Sequence, residues 1–346
     1  MNHYDFYKFP IDSSMETRIQ FETSFMNRQS SVERKWDKYL SKHATSTDPF
    51  TVQPVVNPKH SNLSADEASL VTLERQSKNQ SYYQATCGRH DIYSSSAVDQ
   101  IKLDLDRTFP ENSEFRSPCI IAKLRRVLTV FSVTSLDIGY VQSLNYLVGM
   151  LLLIVEEEEA YWILTCILDK YLPREYFSKN LAAVMVDQRV LSALCTQKIG
   201  SRFTGHLEEC GAPLDLLTTD WFMCLFSKTL TSQCVYRIWD AFFFEGVKVL
   251  FRYALAVLML SKNKIMEAYD IVKVSSIINS FPSFVYDPDL LSKYAFNKLG
   301  SFPFRTIEEL RVSHGAAVNA DLARSQQLRD KAKIRVVPIP PQIRKV

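Results

Sequence analysis

Apolar residues along most of this chain recur at helical spacing, and few segments alternate between apolar and polar positions. In the segment 183–199, Val186, Val190 and Leu194 fall on one stripe, and Gly200 follows as a stop signal. The segment 144–155 is apolar on all sides, which is typical of a buried central helix. No stretch keeps a period of two for long, as a half-buried strand would. The pattern predicts an all-α, irregular multi-helix fold with no sheet.

Helix start and stop signals divide the chain further. Helices are predicted near 101–107, 119–131, 144–155, 160–172, 183–199, 213–230, 232–245, 247–260, 265–284 and 287–299, with another from 306. In the first of these, Ile101, Leu103 and Leu105 are expected to form the apolar side, leaving Asp104 and Arg107 to point elsewhere.

Changes in composition mark three regions. Residues 1–64 are an N-terminal extension in which 41–62 is rich in Pro, Ser, Thr and Asn and is predicted to be a linker. A Ser-x-x-Glu capping box at Ser64–Glu67 opens the helical domain, placed at 65–314. Residues 315–346 are predicted to hold a C-terminal helix and a basic, Pro-containing tail.

Composition narrows the classes of function. The 346 residues carry a net charge of +3, too little to indicate binding of nucleic acid or of a strongly anionic membrane. The longest apolar run, 144–155, is shorter than the about 20 residues that span a bilayer, and the N-terminus lacks a signal pattern. We therefore expect no transmembrane segment and a cytoplasmic protein.

Neither the cysteines nor the acidic run favours a metal site. The seven cysteines include no C-x-x-C pair and are expected to be buried free thiols in a reducing compartment. His206, Cys210 and Cys224 form the only grouping with metal-ligand chemistry. Four adjacent glutamates, Glu156–Glu159, cannot converge on one ion from a helix, so we expect them at a positive helix N-terminus.

Two polar side chains next to backbone breakers carry the candidate chemistry. Arg107 lies just before Pro110, which cannot continue a helix. Gln142 follows Gly139, where the chain can turn sharply, and precedes the apolar segment that begins at Leu144. An arginine and a glutamine presented from loops on a helical scaffold form a pair suited to phosphate groups.

The residues around this pair match two motifs in order. Ile101, Asp104 and Arg107 fill the pattern I-x-x-D-x-x-R, and Tyr140 with Gln142 fills Y-x-Q. Together they resemble the paired finger motifs of the TBC family of Rab GTPase-activating proteins. The segments 221–226, 237–240 and 245–250 also look like later core blocks of that family, so the resemblance extends over roughly residues 80–314.

The resemblance implies a function in trans. Arg107 would be the arginine finger and Gln142 the glutamine finger, both entering the active site of a Rab-type small GTPase in its GTP form. Asp104 would orient Arg107, Tyr140 would position the loop, and Asn145 would bond loop backbone. Partner contacts are expected at three further residues: Ile101, Ser143 and Trp221.

The same resemblance implies that the protein is an activator of a GTPase and not a complete enzyme. No cofactor or metal of its own is expected, because GTP and Mg²⁺ belong to the partner, and no P-loop occurs in this chain. Its expected setting is vesicle traffic, with peripheral recruitment to endomembranes through the GTPase.

Two features depart from the family pattern. Ser143 follows Gln142 where glycine is common, and we expect it to take ordinary backbone angles and add bulk near the partner. An R-x-x-x-W segment usual before the first finger motif is missing. Two alternatives stay open: a catalytically silent scaffold that binds a GTPase or trafficking partner, and an unrelated helical enzyme using His206 or Glu156–Glu159.

Overall fold

The computed structural model describes residues 3–4, 10–11, 82–94, 96–178, 180–285 and 287–335. The predicted linker at 41–62, the capping box at Ser64–Glu67 and the Pro-containing end of the tail lie outside the described residues. Within them, helices occupy most of the chain between 82 and 335, so the all-α prediction is confirmed. The only β pairing that they contain joins His3–Tyr4 to Pro10–Ile11, two residues against two, and was not predicted.

Among the described residues, the first half of the domain contains five helices. They are α1 Tyr82–Cys87, α2 Ser96–Leu105, α3 Pro118–Thr134, α4 Leu144–Leu152 and α5 Glu157–Cys166. Local chemistry fixes their starts: the Ser117 hydroxyl accepts from the Cys119 N–H at the N-terminus of α3, and Pro118 takes the first helical position. After α5, a π-helical turn at Ile167–Tyr171 leads to Pro173.

The described residues of the second half add nine helices. They are α6 Ala182–Lys198, α7 Ser201–Glu209, α8 Leu214–Met223, α9 Ser232–Glu245, α10 Lys248–Met266, α11 Ile271–Asn279, α12 Phe281–Phe284, α13 Pro288–Ser292 and α14 Phe304–Arg335. A second π-helical turn, Lys293–Lys298, follows α13. Gly200 and Gly246 end α6 and α9 with positive φ angles of 116° and 77°, as their places after the periodic segments predict.

Two helices form the centre of the core. All nine residues of α4 are buried, which confirms the prediction of a buried helix after Gln142, although the helix ends at Leu152. In α10, every residue from Val249 to Leu258 is buried. Helices α2 and α5 pack against α4, and α6 packs against α10, each with one apolar face, as their 3.6-residue spacing requires.

Helix α2 is oriented differently from the prediction. Leu103 is 75% exposed, whereas Asp104, expected to point away from the core, is 3% exposed. The buried side of α2 is therefore Val98, Ile101, Asp104 and Leu105. The reason is that Asp104 has partners inside, so its burial is compensated by hydrogen bonds.

At the other end of the domain, α14 is one helix of 32 residues, which continues from the helix predicted to begin at 306 into the region 315–346, where a C-terminal helix was predicted. No helix in the described part of the chain is both long enough and apolar enough to cross a bilayer.

Candidate functional site

The turn that follows α2 presents Arg107 to solvent. Its side chain is 51% exposed and forms an ion pair with the buried carboxylate of Asp104, one helical turn earlier. Thr108 is buried, and its hydroxyl donates to the Asp104 carbonyl at 2.6 Å. The ion pair with Asp104 and the Thr108 hydrogen bond thus hold the backbone around Arg107, while the guanidinium stays accessible.

Asp104 also binds the second loop. The Tyr140 hydroxyl donates to Asp104 Oδ2 at 2.6 Å, across 36 positions of sequence. Burial of the phenol, reinforced by this hydrogen bond to a carboxylate, raises the pKa of Tyr140 well above its ordinary value, so the hydroxyl keeps its proton. One carboxylate therefore joins the two motifs that the sequence places far apart.

Asn145 makes a second bridge between the loops. It is fully buried; its Nδ2 donates to the Thr108 hydroxyl at 2.8 Å, and its Oδ1 accepts from the Ser143 N–H at 3.1 Å. The side chain sits at the start of α4 and bonds both the residue after Arg107 and the residue after Gln142. Both hydrogen bonds are buried, where geometry is well maintained.

Gln142 lies in the loop between α3 and α4 and is exposed. Ser143, directly after it, has φ 123°, a conformation that favours glycine. The prediction of ordinary backbone angles at Ser143 is therefore wrong. The serine keeps the backbone that glycine would have, held by the Asn145 bond, but its own hydroxyl is buried without a hydrogen-bond partner in the described structure.

Three residues predicted to contact a partner are buried. Ile101, Ser143 and Trp221 are 0%, 4% and 1% exposed, so their side chains present no surface to another protein. Trp221 packs against Phe226 with ring centroids 5.7 Å apart, because the turn after α8 folds back through positive φ angles at Leu225 and Phe226. We correct their assignment to packing beneath the site.

The fold adds two residues that the sequence did not reveal. The Tyr146 hydroxyl donates to the Arg107 carbonyl at 3.4 Å, and the Lys228 ammonium lies 5.9 Å from the centroid of the Tyr146 ring. Lys228 also pairs with Asp220 at 2.6 Å, and this bond raises the pKa of the lysine. No motif marks Lys228, because only the fold brings the turn after α8 to Tyr146.

The residues of the rival enzyme hypothesis have structural partners. Glu156 and Glu159 form a capping box at the start of α5, as the helix N-terminus prediction requires. Arg126 donates to both carboxylate oxygens of Glu157 at 2.7 and 2.6 Å, and Lys123 pairs with Glu156. Within the described residues no group of three or more His, Cys, Asp or Glu could hold a metal ion.

His206 likewise serves the packing of helices. Its Nε2 lies 2.9 Å from the Ile265 carbonyl at the end of α10 and 3.5 Å from Cys210 Sγ. A cleft of about 460 Å³ between α6, α7 and α8 is near this region, and none of the predicted site residues lines it. His206 and the cleft therefore contribute no side chain to the Arg107 and Gln142 loops.

The arrangement is a surface with one accessible guanidinium and one accessible carboxamide. A guanidinium has five N–H donors, and its ion pair with Asp104 leaves the rest for an incoming anion. A carboxamide both donates and accepts, so it can bond an anion and a water molecule together. Because the bonded network behind them is buried, the two loops are held before any ligand arrives.

Comparison with known proteins gives the context of these loops. The sequence model of the family described as "Rab-GTPase-TBC domain" matches residues 63–266. The chain is similar to TBC1 domain family member 2A of Rattus norvegicus, 40% identical over 250 residues, which are 71% of this chain and 27% of that protein. It is similar to TBC1 domain family member 2B of Homo sapiens, 37% identical over 236 residues, or 68% of this chain and 24% of that protein. The chain thus spans about a quarter of the length of these relatives.

Solved structures show the same fold. The Chlamydomonas flagellar RabGAP TBC domain superposes with a TM-score of 0.70 at 27% identity, covering 85% of this chain and 99% of that domain. The Ypt/Rab-GAP domain of Gyp1p superposes with a TM-score of 0.55 at 17% identity, over 68% of this chain and 87% of that domain, which is a likeness of fold alone.

Proposed function

The chain belongs to the Rab-GTPase-TBC domain family, and we propose that it is a GTPase-activating protein that completes the active site of a Rab-type small GTPase in its GTP form. The single observation that carries the proposal is the bonded network under the two loops. Asp104 binds both Arg107 and Tyr140, and Asn145 binds both Thr108 and Ser143. Two exposed side chains on a shared, buried support are what insertion into another protein's active site requires.

Arg107 is the arginine finger in this proposal. Negative charge develops on the transferring phosphoryl group, and a guanidinium supplied in trans stabilises it by about 10³- to 10⁵-fold in rate. Asp104 holds the guanidinium from behind through the ion pair, so less side-chain freedom is lost when the complex forms.

Gln142 is the glutamine finger. Its carboxamide donates to the phosphate and accepts from the attacking water, which places the water for in-line attack. The Asn145 bond to the backbone of Ser143 fixes the residue next to it. GTP, Mg²⁺ and most phosphate contacts come from the GTPase, so this chain supplies two groups and a docking surface. It would reach endomembranes through its partner, in vesicle traffic.

Single-turnover hydrolysis across a panel of GTP-loaded Rab proteins tests the proposal. We expect the chain to accelerate hydrolysis by at least one panel member by about 10³-fold or more. A Rab that binds the chain with no acceleration would instead favour the silent scaffold, for which the strained, unpaired Ser143 beside Gln142 is the supporting observation. If the chain neither binds nor accelerates any Rab of the panel, both functions are rejected.

A further inference from the structure

The turn that carries Arg107 contains a strained residue. Phe109, two positions after the arginine, has φ 48°, in the left-handed region that a bulky side chain takes only when its surroundings hold it there. Its carbonyl accepts from the Asn112 N–H at 2.9 Å, and its side chain is 8% exposed. The backbone next to the arginine finger is therefore set by whatever holds the Phe109 ring.

Two aromatic contacts and a glycine hold that ring. Phe109 packs edge-on against Phe115 and Tyr146, with centroids 5.4 and 5.3 Å apart. Tyr146 and Gly149 are one turn apart on the same face of α4. A Cβ added at Gly149 would lie 2.9 Å from Cε2 and 3.2 Å from Cδ2 of Phe109, and 3.2 Å from Cζ of Phe115. The ring fills the space that a side chain at position 149 would take.

The other finger, Gln142, lies in the loop directly before the same helix. α4 begins at Leu144, two residues after Gln142, and its Tyr146 hydroxyl donates to the Arg107 carbonyl. Three points of α4 thus contact or support the two loops: its N-terminus beside Gln142, Tyr146 under the Arg107 backbone, and Gly149 under Phe109.

We propose that Phe109 and Gly149 form a seat that positions the arginine finger relative to the glutamine finger, and that Gly149 is a positioning residue for GTPase activation. The proposal rests on the proposed function of Arg107 and Gln142. Neither residue touches the partner's nucleotide: both act through the backbone of the Arg107 turn. A glycine that served only to let helices pack would affect folding and leave the rate per folded molecule unchanged.

Gly149→Ala in the full chain is the test. The added methyl group moves the Phe109 ring, so we expect the single-turnover rate at saturating activator to fall about 10- to 100-fold, as for a misplacement near 1 Å. The concentration giving half the maximal rate should stay within about twofold, because the docking surface is intact. Gly205→Ala on α7 is the matched control: no atom lies within 4 Å of the added Cβ, and its rate should equal wild type.

A second substitution separates positioning from misfolding. Phe109→Leu in the Gly149→Ala background shortens the side chain that the methyl group strikes, and we expect it to restore most of the lost rate. The seat is overturned by an unchanged maximal rate in folded Gly149→Ala, by a change confined to the half-saturating concentration, or by no recovery in the double variant.

Failure of the seat and failure of the proposed function give different results. If wild type accelerates no Rab, the proposed function is rejected. Crystal structures of wild type and Gly149→Ala then test, without any activity, whether Phe109 and Gly149 position the Arg107 backbone. A displaced Phe109 ring with a shifted Arg107 backbone supports it; an Arg107 backbone that superposes on wild type overturns it.

Discussion

At the scale of single residues, the guanidinium of Arg107 is the group whose removal should matter most. We expect Arg107→Ala to lower the single-turnover rate on a responsive Rab by about 10³-fold or more, because the negative charge that develops on the phosphoryl group loses the guanidinium that stabilises it. Half-exposed Arg107 contributes little to the core, and Asp104 keeps its hydrogen bond from Tyr140, so we expect the fold to be retained and the melting temperature to fall only by the loss of the Asp104 ion pair. Stopped-flow release of phosphate measures the rate.

The matched control is Arg305→Ala. Arg305 is 86% exposed and pairs with Glu309 on the surface of α14, so its loss removes an arginine and an ion pair away from the Arg107 and Gln142 loops. Wild-type activation by Arg107→Ala, or an equal loss in both variants, would contradict the assignment of the finger.

The hydrogen bond from Tyr140 to Asp104 should help Asp104 hold the Arg107 guanidinium in place. Tyr140→Phe removes the hydroxyl that donates to Asp104 Oδ2, leaving a buried carboxylate oxygen without that donor. Such a loss corresponds to about 1–3 kcal/mol, or roughly 5- to 150-fold if it falls on the catalytic step. We expect the maximal rate to drop within that range and the pairing of Asp104 with Arg107 to loosen, which a crystal structure would show.

Tyr253→Phe controls for the loss of a buried hydroxyl. It removes a 2.8 Å bond to Ser292 in a different part of the core, so stability should fall without a change in maximal rate. If Tyr140→Phe affects only the melting temperature, as Tyr253→Phe should, then Tyr140 has no role beyond packing.

Interactions between residues close in sequence could be predicted, whereas those between residues far apart in sequence could not. Asp104 lies one helical turn from Arg107, so their pairing could be predicted from spacing alone. The bond from Tyr140 joins positions 36 apart, and Lys228 reaches Tyr146 from the turn after α8, so both needed the fold. Ser143 and Trp221 were misjudged because backbone angle and burial are set by tertiary contacts that no local pattern encodes.

At the scale of elements, the attachment of α14 depends on one buried carboxylate. Arg311 of α14 donates to both oxygens of Asp187 on α6 at 2.7 Å, and the Tyr176 hydroxyl donates to the same group. Arg311→Leu leaves Asp187 buried without its cation, and we expect a loss of about 3–5 kcal/mol in the free energy of unfolding. Urea titration measures it.

Arg305→Leu supplies the comparison on the same helix. Its exposed pair with Glu309 should be worth less than about 1 kcal/mol. Similar losses for Arg311→Leu and Arg305→Leu would show that α14 is held by apolar packing and that the buried pair adds nothing.

Elements with a strong local pattern were predictable. α4 and α6 follow apolar spacing and end near the predicted residues. The π-helical turns at Ile167–Tyr171 and Lys293–Lys298 were not, because each widens a helix locally to fit its neighbours while the spacing of apolar residues hardly changes. The sequence predicted a helix from 306 and a C-terminal helix within 315–346, but not that both belong to the single helix α14, because its outer part buries little and no apolar stripe marks it.

At the scale of the whole molecule, the two finger loops meet because three helices pack in sequence. α2 and α4 both lie against α3, so the turn after α2 and the loop before α4 reach the same end of α3. The hydrogen bonds of Asp104 and Asn145 then fix the loops against each other. The order of helices in the sequence was predictable, but this pairing of their ends was not.

The same packing determines the reactivity of the cysteines. Five of the seven are buried, Cys87 is half-buried, and Cys119 is exposed at the start of α3. Burial raises the pKa of Cys195, Cys224 and Cys234 to about 12, so at pH 8 only about one such thiol in 10⁴ is a thiolate, and the sulfur is also inaccessible. We expect iodoacetamide at pH 8 to label Cys119 quickly and Cys87 slowly in the folded protein, as peptide mass spectrometry would show.

Unfolding and pH separate the two causes of protection. In guanidinium chloride all seven thiols should react, and Cys119→Ser should remove the fast phase in the folded protein. If a buried thiol reacts by rapid, reversible local opening, its slow rate follows the thiolate fraction of the open form and rises about tenfold from pH 7 to pH 8. If opening itself limits the reaction, the rate does not depend on pH. Fast labelling of Cys195, Cys224 or Cys234 in the native protein would contradict the packing around α6, α8 and α9 that buries these three thiols.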